Sequence, residues 1–372
     1  ASVHHAVVGG RNDVNWALWR RARPDVWFII HWEGLVSRYD SLAPVLWDVV
    51  IADEAHKIRN RKTKRALALK SLLTQRRIAL SATDMEHSPA DLWSLLNWFD
   101  KDKFQSYWEF FNAFVDYRPG YFGGHAIKGI KNKERLAQTL VEYVLRRTKQ
   151  EVAPQLPPKI YTNVPIELDG EQRRWYHKFA KEWLIDLEKD DGSDLFINGI
   201  LDRSIKCRQV ALDPTLVGID CVSAKHEWIK EYINDNDSEI IVVLTTFRGY
   251  AQRLARETGG SLVIGGDSGS APTIGDWLKG RTRVLVGTIG AAGESLNLQR
   301  AGTLIFADKT FSATQIAQAI DRIHRIDITE PKQIISLEAE HTVDQLIKKA
   351  LSNKWTMREV VHEAIHHQST YT

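Results

Sequence analysis

Short apolar runs of strand length recur along the chain at 26–30, 45–52, 77–80, 239–244, 283–286 and 302–307. Helical spacing of apolar residues fills most of the intervals between them. Strands alternating with helices predict parallel sheets covered on both faces, so the expected fold class is α/β. The alternation breaks between about residues 100 and 212, where amphipathic stretches such as 171–187 carry no strand signal. Within that region Pro154, Pro157 and Pro158 cannot continue a helix or a central strand. The division between two lobes is therefore expected there, with residues 1–155 in the first and 156–372 in the second. No fixed-period repeat interrupts this organisation.

Length agrees with the pattern, since 372 residues make two or three units at about 150 residues per domain. With 43% hydrophobic and 26% charged residues the chain is expected to be globular. No stretch approaches about 18 consecutive apolar residues, and Ala1-Ser2-Val3-His4-His5 lacks the charged start and apolar core of a signal peptide. An intracellular protein is expected, cytoplasmic or associated with the nucleoid or nucleus. The two cysteines, Cys207 and Cys221, have no C-x-x-C spacing, which removes a disulfide framework and a thiolate zinc site and leaves ordinary buried thiols.

A net charge of +3 is too small for the whole surface to attract a polyanion, so a nucleic-acid site must be local. Basic clusters occur at Arg20, Arg21 and Arg23, at Arg59 to Arg65, at Lys128 to Arg135, and at Arg146, Arg147 and Lys149. Each taken alone is more often a solvated face. Thirteen tryptophans could offer stacking surfaces, but Trp93 stands at helical spacing with Leu92, Leu96 and Phe99 and reads as core.

Three segments carry candidate chemistry. The run 47–52 ends in the adjacent carboxylates Asp53 and Glu54, and in open α/β sheets ligands sit at the carboxyl ends of strands. Such acids serve nucleoside triphosphatases by holding Mg²⁺ and activating water, while the plainer reading is a loop acid capping the next helix. Residues 312–327 place Gln318, Arg322 and Arg325 at spacings of four and three, which predicts one helical face opposite Ile316, Ala319, Ile320 and Ile323. Ser312 with Gln315 resembles a capping box at the start of that helix. Two guanidinium groups on a core-facing helix suit a phosphoryl group in transit, and a solvated basic face is the alternative. Finally, the glycine-rich turn 287–298 can bring backbone N–H groups against phosphate, and the run 240–244 leads into the hydroxyls of Thr245 and Thr246. Helix capping is the commoner reason for such threonines.

In this order the segments resemble the Swi/Snf-type ATPases of helicase superfamily two. Asp53-Glu54-Ala55-His56 is similar to the family's DEAH box, and Leu80-Ser81-Ala82-Thr83 with the helix at 90–96 to its third motif. Leu145 to Lys149 and Leu156-Pro157-Pro158-Lys159 resemble its inter-lobe connector. Residues 293–298 look like motif five, and Gln318 to Arg325 like motif six. The resemblance implies two RecA-like lobes, the first truncated, that form the ATP- and Mg²⁺-dependent motor of a double-stranded DNA translocase. It implies that Asp53 holds the metal, Glu54 activates water, Arg322 and Arg325 reach the γ-phosphate when the lobes close, and Gln318 and Gly293 lie against the nucleotide. It further implies that Ser81, Thr83, Thr245, Thr246 and Thr288, with Arg146, Arg147 and Lys149 near the hinge, engage the DNA backbone.

No G-x-x-x-x-G-K-[ST] stretch occurs, and only 52 residues precede Asp53, so the chain is expected to begin after the phosphate loop. Roughly three missing charge-assisted hydrogen bonds cost about 4 to 9 kcal/mol, a thousandfold or more in nucleotide affinity. The chain alone is expected to bind ATP poorly. Two alternatives stand beside this reading. One is a nucleotide-independent DNA-binding relative. The other is a zinc hydrolase built on His362-Glu363-Ala364-Ile365-His366, for which only six residues remain to supply a third ligand.

Overall fold

The computed structural model describes residues 4–7, 26–81, 89–119, 125–147, 149–188, 205–265, 273–293, 296–310, 312–345, 347, 348 and 351. The chain divides into two compact units, one running through Arg146 and the other from Arg147 to Trp355.

The second unit is built on one six-stranded parallel sheet. In chain order its strands are β7 (Lys159–Ile166), β8 (Ile241–Thr245), β9 (Ser261–Val263), β10 (Val284–Thr288), β11 (Thr303–Phe306) and β12 (Lys332–Ala339), arranged as β7-β12-β11-β8-β10-β9. Every residue of β8 and β11 is buried, because both faces of these central strands are covered. Alternate side chains point to opposite faces. Ile241 and Val243 join Ile229, Tyr250 and Leu254 on one side, while Val242 and Leu244 join Trp277, Ala319 and Ile323 on the other. The parallel α/β sheet expected of a RecA-like lobe is present here.

Register aligns the functional ends of this sheet. Thr288 of β10 lies opposite Thr245 of β8, and Phe306 of β11 opposite Leu244, so the residues that follow these strands share one edge. Gly287 is required by the close approach of β9, because a Cβ there would stand 2.7 Å from the carbonyl oxygen of Val263.

The first unit carries shorter sheets. β1 (His4–Val7) pairs with β2 (Val26–Ile29), and β3 (Trp47–Ala52) pairs with β4 (Thr74–Ala79), both in parallel. The helices Trp32–Ser37 and Lys64–Lys70 pack with β3 and β4 around Leu35, Ala55, Ile58, Leu69 and Trp98. A second core forms where Ala90–Phe99, Tyr107–Phe114 and Lys133–Val141 bring together Trp93, Phe110, Phe114 and Leu136. Trp93 is buried, as its helical spacing predicts.

One expectation is corrected. Among the described residues, the region from about 100 to 212 contains three strands, namely β7 and the antiparallel pair β5 (Val115–Pro119) and β6 (His125–Ile130). They lack the continuous apolar run of a central strand because none occupies a central position. Among the described residues β7 pairs with β12 alone, and Pro165, which cannot donate to a ladder, is tolerated at such an edge.

Candidate functional site

In the first unit the acid pair stands where β3 ends. Asp53 is exposed, its Oδ1 accepts the Glu54 N–H at 2.9 Å, and its backbone carbonyl accepts from Trp32 Nε1 at 3.2 Å. Glu54 has φ 50° and ψ 49°, a left-handed conformation costing an L-residue about 1 to 2 kcal/mol. The surroundings impose it. Ala55 donates its N–H to Leu80 O at 2.9 Å, and Ala55 and Ile58 of the short helix Ala55–Ile58 are completely buried. The turn therefore drops two apolar side chains into the core and leaves both carboxylates at the strand's carboxyl end.

His56 continues the arrangement, with Nδ1 3.1 Å from Glu54 Oε2. Burial pushes its imidazole below the usual histidine range, although Glu54 pulls the other way. The two atoms lie close, but neither Nδ1 nor Oε2 completes a hydrogen bond among the described residues. The Asp53 carboxylate pairs with no cation among the described residues. A single exposed hard oxygen donor fits Mg²⁺, which is commonly held by one or two carboxylates with water and phosphate oxygens completing its shell. Among the described residues no group of three or more His, Cys, Asp or Glu is placed to hold a metal by itself. Ser81 is half-buried just past β4, and Thr83 lies outside the described residues.

In the second unit the threonines at the sheet edge meet a residue that the sequence reading passed over. Asp308 is buried, and it accepts hydrogen bonds from Thr245 Oγ1 at 2.5 Å, Thr246 N at 2.9 Å and the Thr246 hydroxyl. Arg208 Nη2 reaches the same carboxylate at 3.2 Å, and also Thr246 Oγ1 at 3.0 Å and Lys309 O at 2.9 Å. Its guanidinium lies 5.3 Å from the centre of the Phe247 ring. Asp308 follows the end of β11 as Asp53 follows β3, so the strand-end argument that found one acid applied equally to the other. Arg208 carried no such local signal.

Removing one partner of a buried charge pair strands the other, at a cost of about 3 to 5 kcal/mol. Asp308→Ala is expected to lower the urea unfolding free energy of the chain by an amount of that order, since Arg208 is left nearly enclosed. A change under about 1 kcal/mol would show the carboxylate to be dispensable.

The arginine helix runs Ala313–Ile323, with Ser312 capping it by accepting from the Gln315 N–H at 3.3 Å. Ala319, Ile320 and Ile323 are buried as its apolar face. Gln318 and Arg322 lie on the helix, but Arg325 does not. This corrects the expected three-residue face: the chain leaves helical geometry at His324, with φ −110° and ψ 85°, so helical spacing no longer applies to Arg325. Arg322 Nε and Nη2 both donate to Gly293 O, at 3.1 and 2.8 Å. Gln318 Oε1 would stand 3.6 Å from a Cβ at Gly293. Arg325 is half-buried and has no side-chain partner among the described residues.

Thr288 is half-buried at the end of β10. Arg146 is half-buried, Arg147 is exposed, and Lys149 Nζ lies 2.8 Å from Asp321 Oδ1. Cys207 is buried and Cys221 half-buried, and neither forms a disulfide among the described residues. The His362–His366 motif lies outside the described residues. No described helix is long and apolar enough to cross a membrane.

Comparison with known proteins gives matches at each level of description. Residues 5–216 match the family described as SNF2-related domain. The cattle (Bos taurus) protein named DNA annealing helicase and endonuclease ZRANB3 is 26% identical over 329 residues, covering 85% of this chain and 30% of its own length. The Saccharomyces cerevisiae ISWI chromatin-remodeling complex ATPase ISW1 is 22% identical over 365 residues, covering 90% and 31%. The chain thus spans about a third of the curated relatives it matches. Among solved structures, the Sulfolobus solfataricus SWI2/SNF2 ATPase core in complex with dsDNA aligns over 100% of this chain and 79% of its own, at 23% identity and a TM-score of 0.45.

Proposed function

The chain belongs to the SNF2-related domain family, and from that premise we propose that it forms the motor portion of an intracellular, ATP-driven double-stranded DNA translocase. The observation that carries this reading is the left-handed turn at Glu54, which presents two adjacent carboxylates at the carboxyl end of β3. Backbone strain of this kind persists where the surroundings over-determine it, and functional sites are where it gathers.

On this reading Asp53 holds Mg²⁺, which when bound neutralises charge on the phosphate oxygens. Glu54 takes the proton of the attacking water as the water oxygen bonds the γ-phosphorus and the bond to the β,γ-bridging oxygen breaks. His56 lies beside the Glu54 carboxylate, with Nδ1 3.1 Å from Oε2. Arg325, whose guanidinium has no partner among the described residues, stabilises charge on the phosphoryl group, while Arg322 holds the Gly293 turn with Gln318 beside it. Ser81, Thr83, Thr288, Arg146 and Arg147 supply contacts to the DNA backbone, and Thr246, whose hydroxyl is bonded to Asp308, contributes through that carboxylate. Thr245 contributes through Asp308, to which its hydroxyl is committed.

Turnover on this reading requires a phosphate loop, which no segment of this sequence spells. The test compares the chain with a polypeptide in which a phosphate-loop segment precedes Ala1. ATP hydrolysis stimulated by duplex DNA is expected only in the second. Salt-sensitive duplex binding that ignores ATP in both would instead identify a nucleotide-independent DNA-binding protein.

A further inference from the structure

The segment that enters the second unit is tied to the end of the arginine helix by a set of polar contacts joining residues far apart in sequence. Lys149, at the start of the short helix Lys149–Val152, places Nζ 2.8 Å from Asp321 Oδ1 and donates to His324 O at 2.9 Å. Lys159, the first residue of β7, reaches the same Asp321 oxygen at 3.5 Å. His324 Nε2 lies 2.7 Å from Pro157 O, and because a carbonyl only accepts, the ring donates from Nε2. His324 is buried, so this bond is shielded from water.

Two physical effects favour the arrangement. The last carbonyls of a helix lack partners within it, and the Lys149 ammonium supplies a donor to one of them. A cation at a helix C-terminus also meets the negative end of the helix dipole. Both effects would be satisfied by simple capping, so the question is what the contacts hold that nothing else holds.

The helix itself needs no such help. Its apolar face is buried against the sheet, Arg322 grips Gly293 O through two donors, and Leu298 N donates to Arg322 O at 3.1 Å. Beyond Ile323 the support changes. Ile326 is 61% exposed, and on the far side of Arg325 the described support is a turn in which Ile328 N donates to Arg325 O at 3.3 Å. The contacts from Lys149 and Pro157 land on His324, the residue immediately before it.

We propose that Lys149, Asp321 and His324 are positioning residues that aim Arg325 and tie its placement to the connecting segment between Lys149 and Lys159. Movement of that segment is then felt at the arginine rather than absorbed by the helix. This rests on the reading of Arg325 as the group that stabilises the phosphoryl charge.

The experiment has two arms. In the chain as it stands, hydrogen exchange is followed in Lys149→Ala and Asp321→Asn. Exchange across residues 321–328 is expected to rise about tenfold or more while the amides of β8 and β11 keep their rates, the pattern of local rather than global opening. In the polypeptide carrying a phosphate loop, Lys149→Ala is expected to lower kcat about tenfold at saturating DNA, with the KM for ATP within about twofold and recovery in Lys149→Arg. A uniform rise in exchange throughout the second unit would reduce the contacts to fold stabilisers and overturn the proposal. So would weakened duplex binding with kcat unchanged, which would make Lys149 a DNA contact. Arg325→Ala separates the two levels. If it leaves turnover intact, the functional reading falls and the positioning role with it. If it abolishes turnover while Lys149→Ala and Asp321→Asn behave as wild type, the positioning role alone is overturned.

Discussion

In a polypeptide carrying a phosphate loop, Glu54→Gln is expected to lower the kcat of DNA-stimulated ATP hydrolysis by about 10² to 10⁴, the range spanned by general acid–base catalysis. The substitution changes one oxygen into an amide nitrogen and almost no volume, so the turn held by buried Ala55 and Ile58 should survive. What is lost is the ability to accept a proton from water. Nucleotide affinity should stay within about twofold, because on this reading Glu54 acts on water and not on ATP. Single-turnover hydrolysis measured beside nucleotide binding separates the two quantities. Unchanged turnover would remove Glu54 from the mechanism, and equal loss of binding and turnover would recast it as a ligand of the metal or the nucleotide.

Arg325→Ala is expected to cost still more, about 10³ to 10⁵ in kcat, the scale on which an arginine that stabilises phosphoryl charge contributes. The neighbouring Arg322 should behave differently. Its two donors are occupied by Gly293 O, so Arg322→Ala leaves a carbonyl unpartnered at a cost of about 1 to 3 kcal/mol in stability and loosens the turn indirectly. The smaller kcat effect should therefore belong to Arg322, accompanied by a lower melting temperature that Arg325→Ala does not share. Comparing kcat and thermal unfolding in the two variants checks this ordering. Equal losses of turnover, with neither variant destabilised, would mean that Arg322 releases Gly293 and meets the phosphate itself.

Much of the fold was legible in the order of residues. The all-buried strands β8 and β11 declare themselves as apolar runs because both of their faces are covered, and the same coverage makes them central. Edge strands such as β7 do not. Its polar alternation and Pro165 suit a strand with one free side, a circumstance visible only once the partner strand is known. The acid pair was legible for a related reason, since an apolar strand ending in two carboxylates puts them at the edge where ligands bind. Asp308, two residues past β11, is open to the same argument, but nothing local marks Thr245 and Thr246 as its donors.

From sequence alone came the α/β class, the position of Asp53 and Glu54, and the buried face of the arginine helix. Each of these follows from periodicity or from neighbours within one turn or strand. Only the tertiary structure decided that the helix stops before Arg325, that Arg322 is engaged by Gly293, and that Arg208 and the two threonines converge on Asp308. It alone placed Lys149 against the end of that helix. These contacts join residues separated by 29, 100 and 175 positions, as for Arg322 with Gly293, Arg208 with Asp308, and Lys149 with His324. Over such separations local spacing carries no information, because the path of the backbone between the partners sets which polar groups meet.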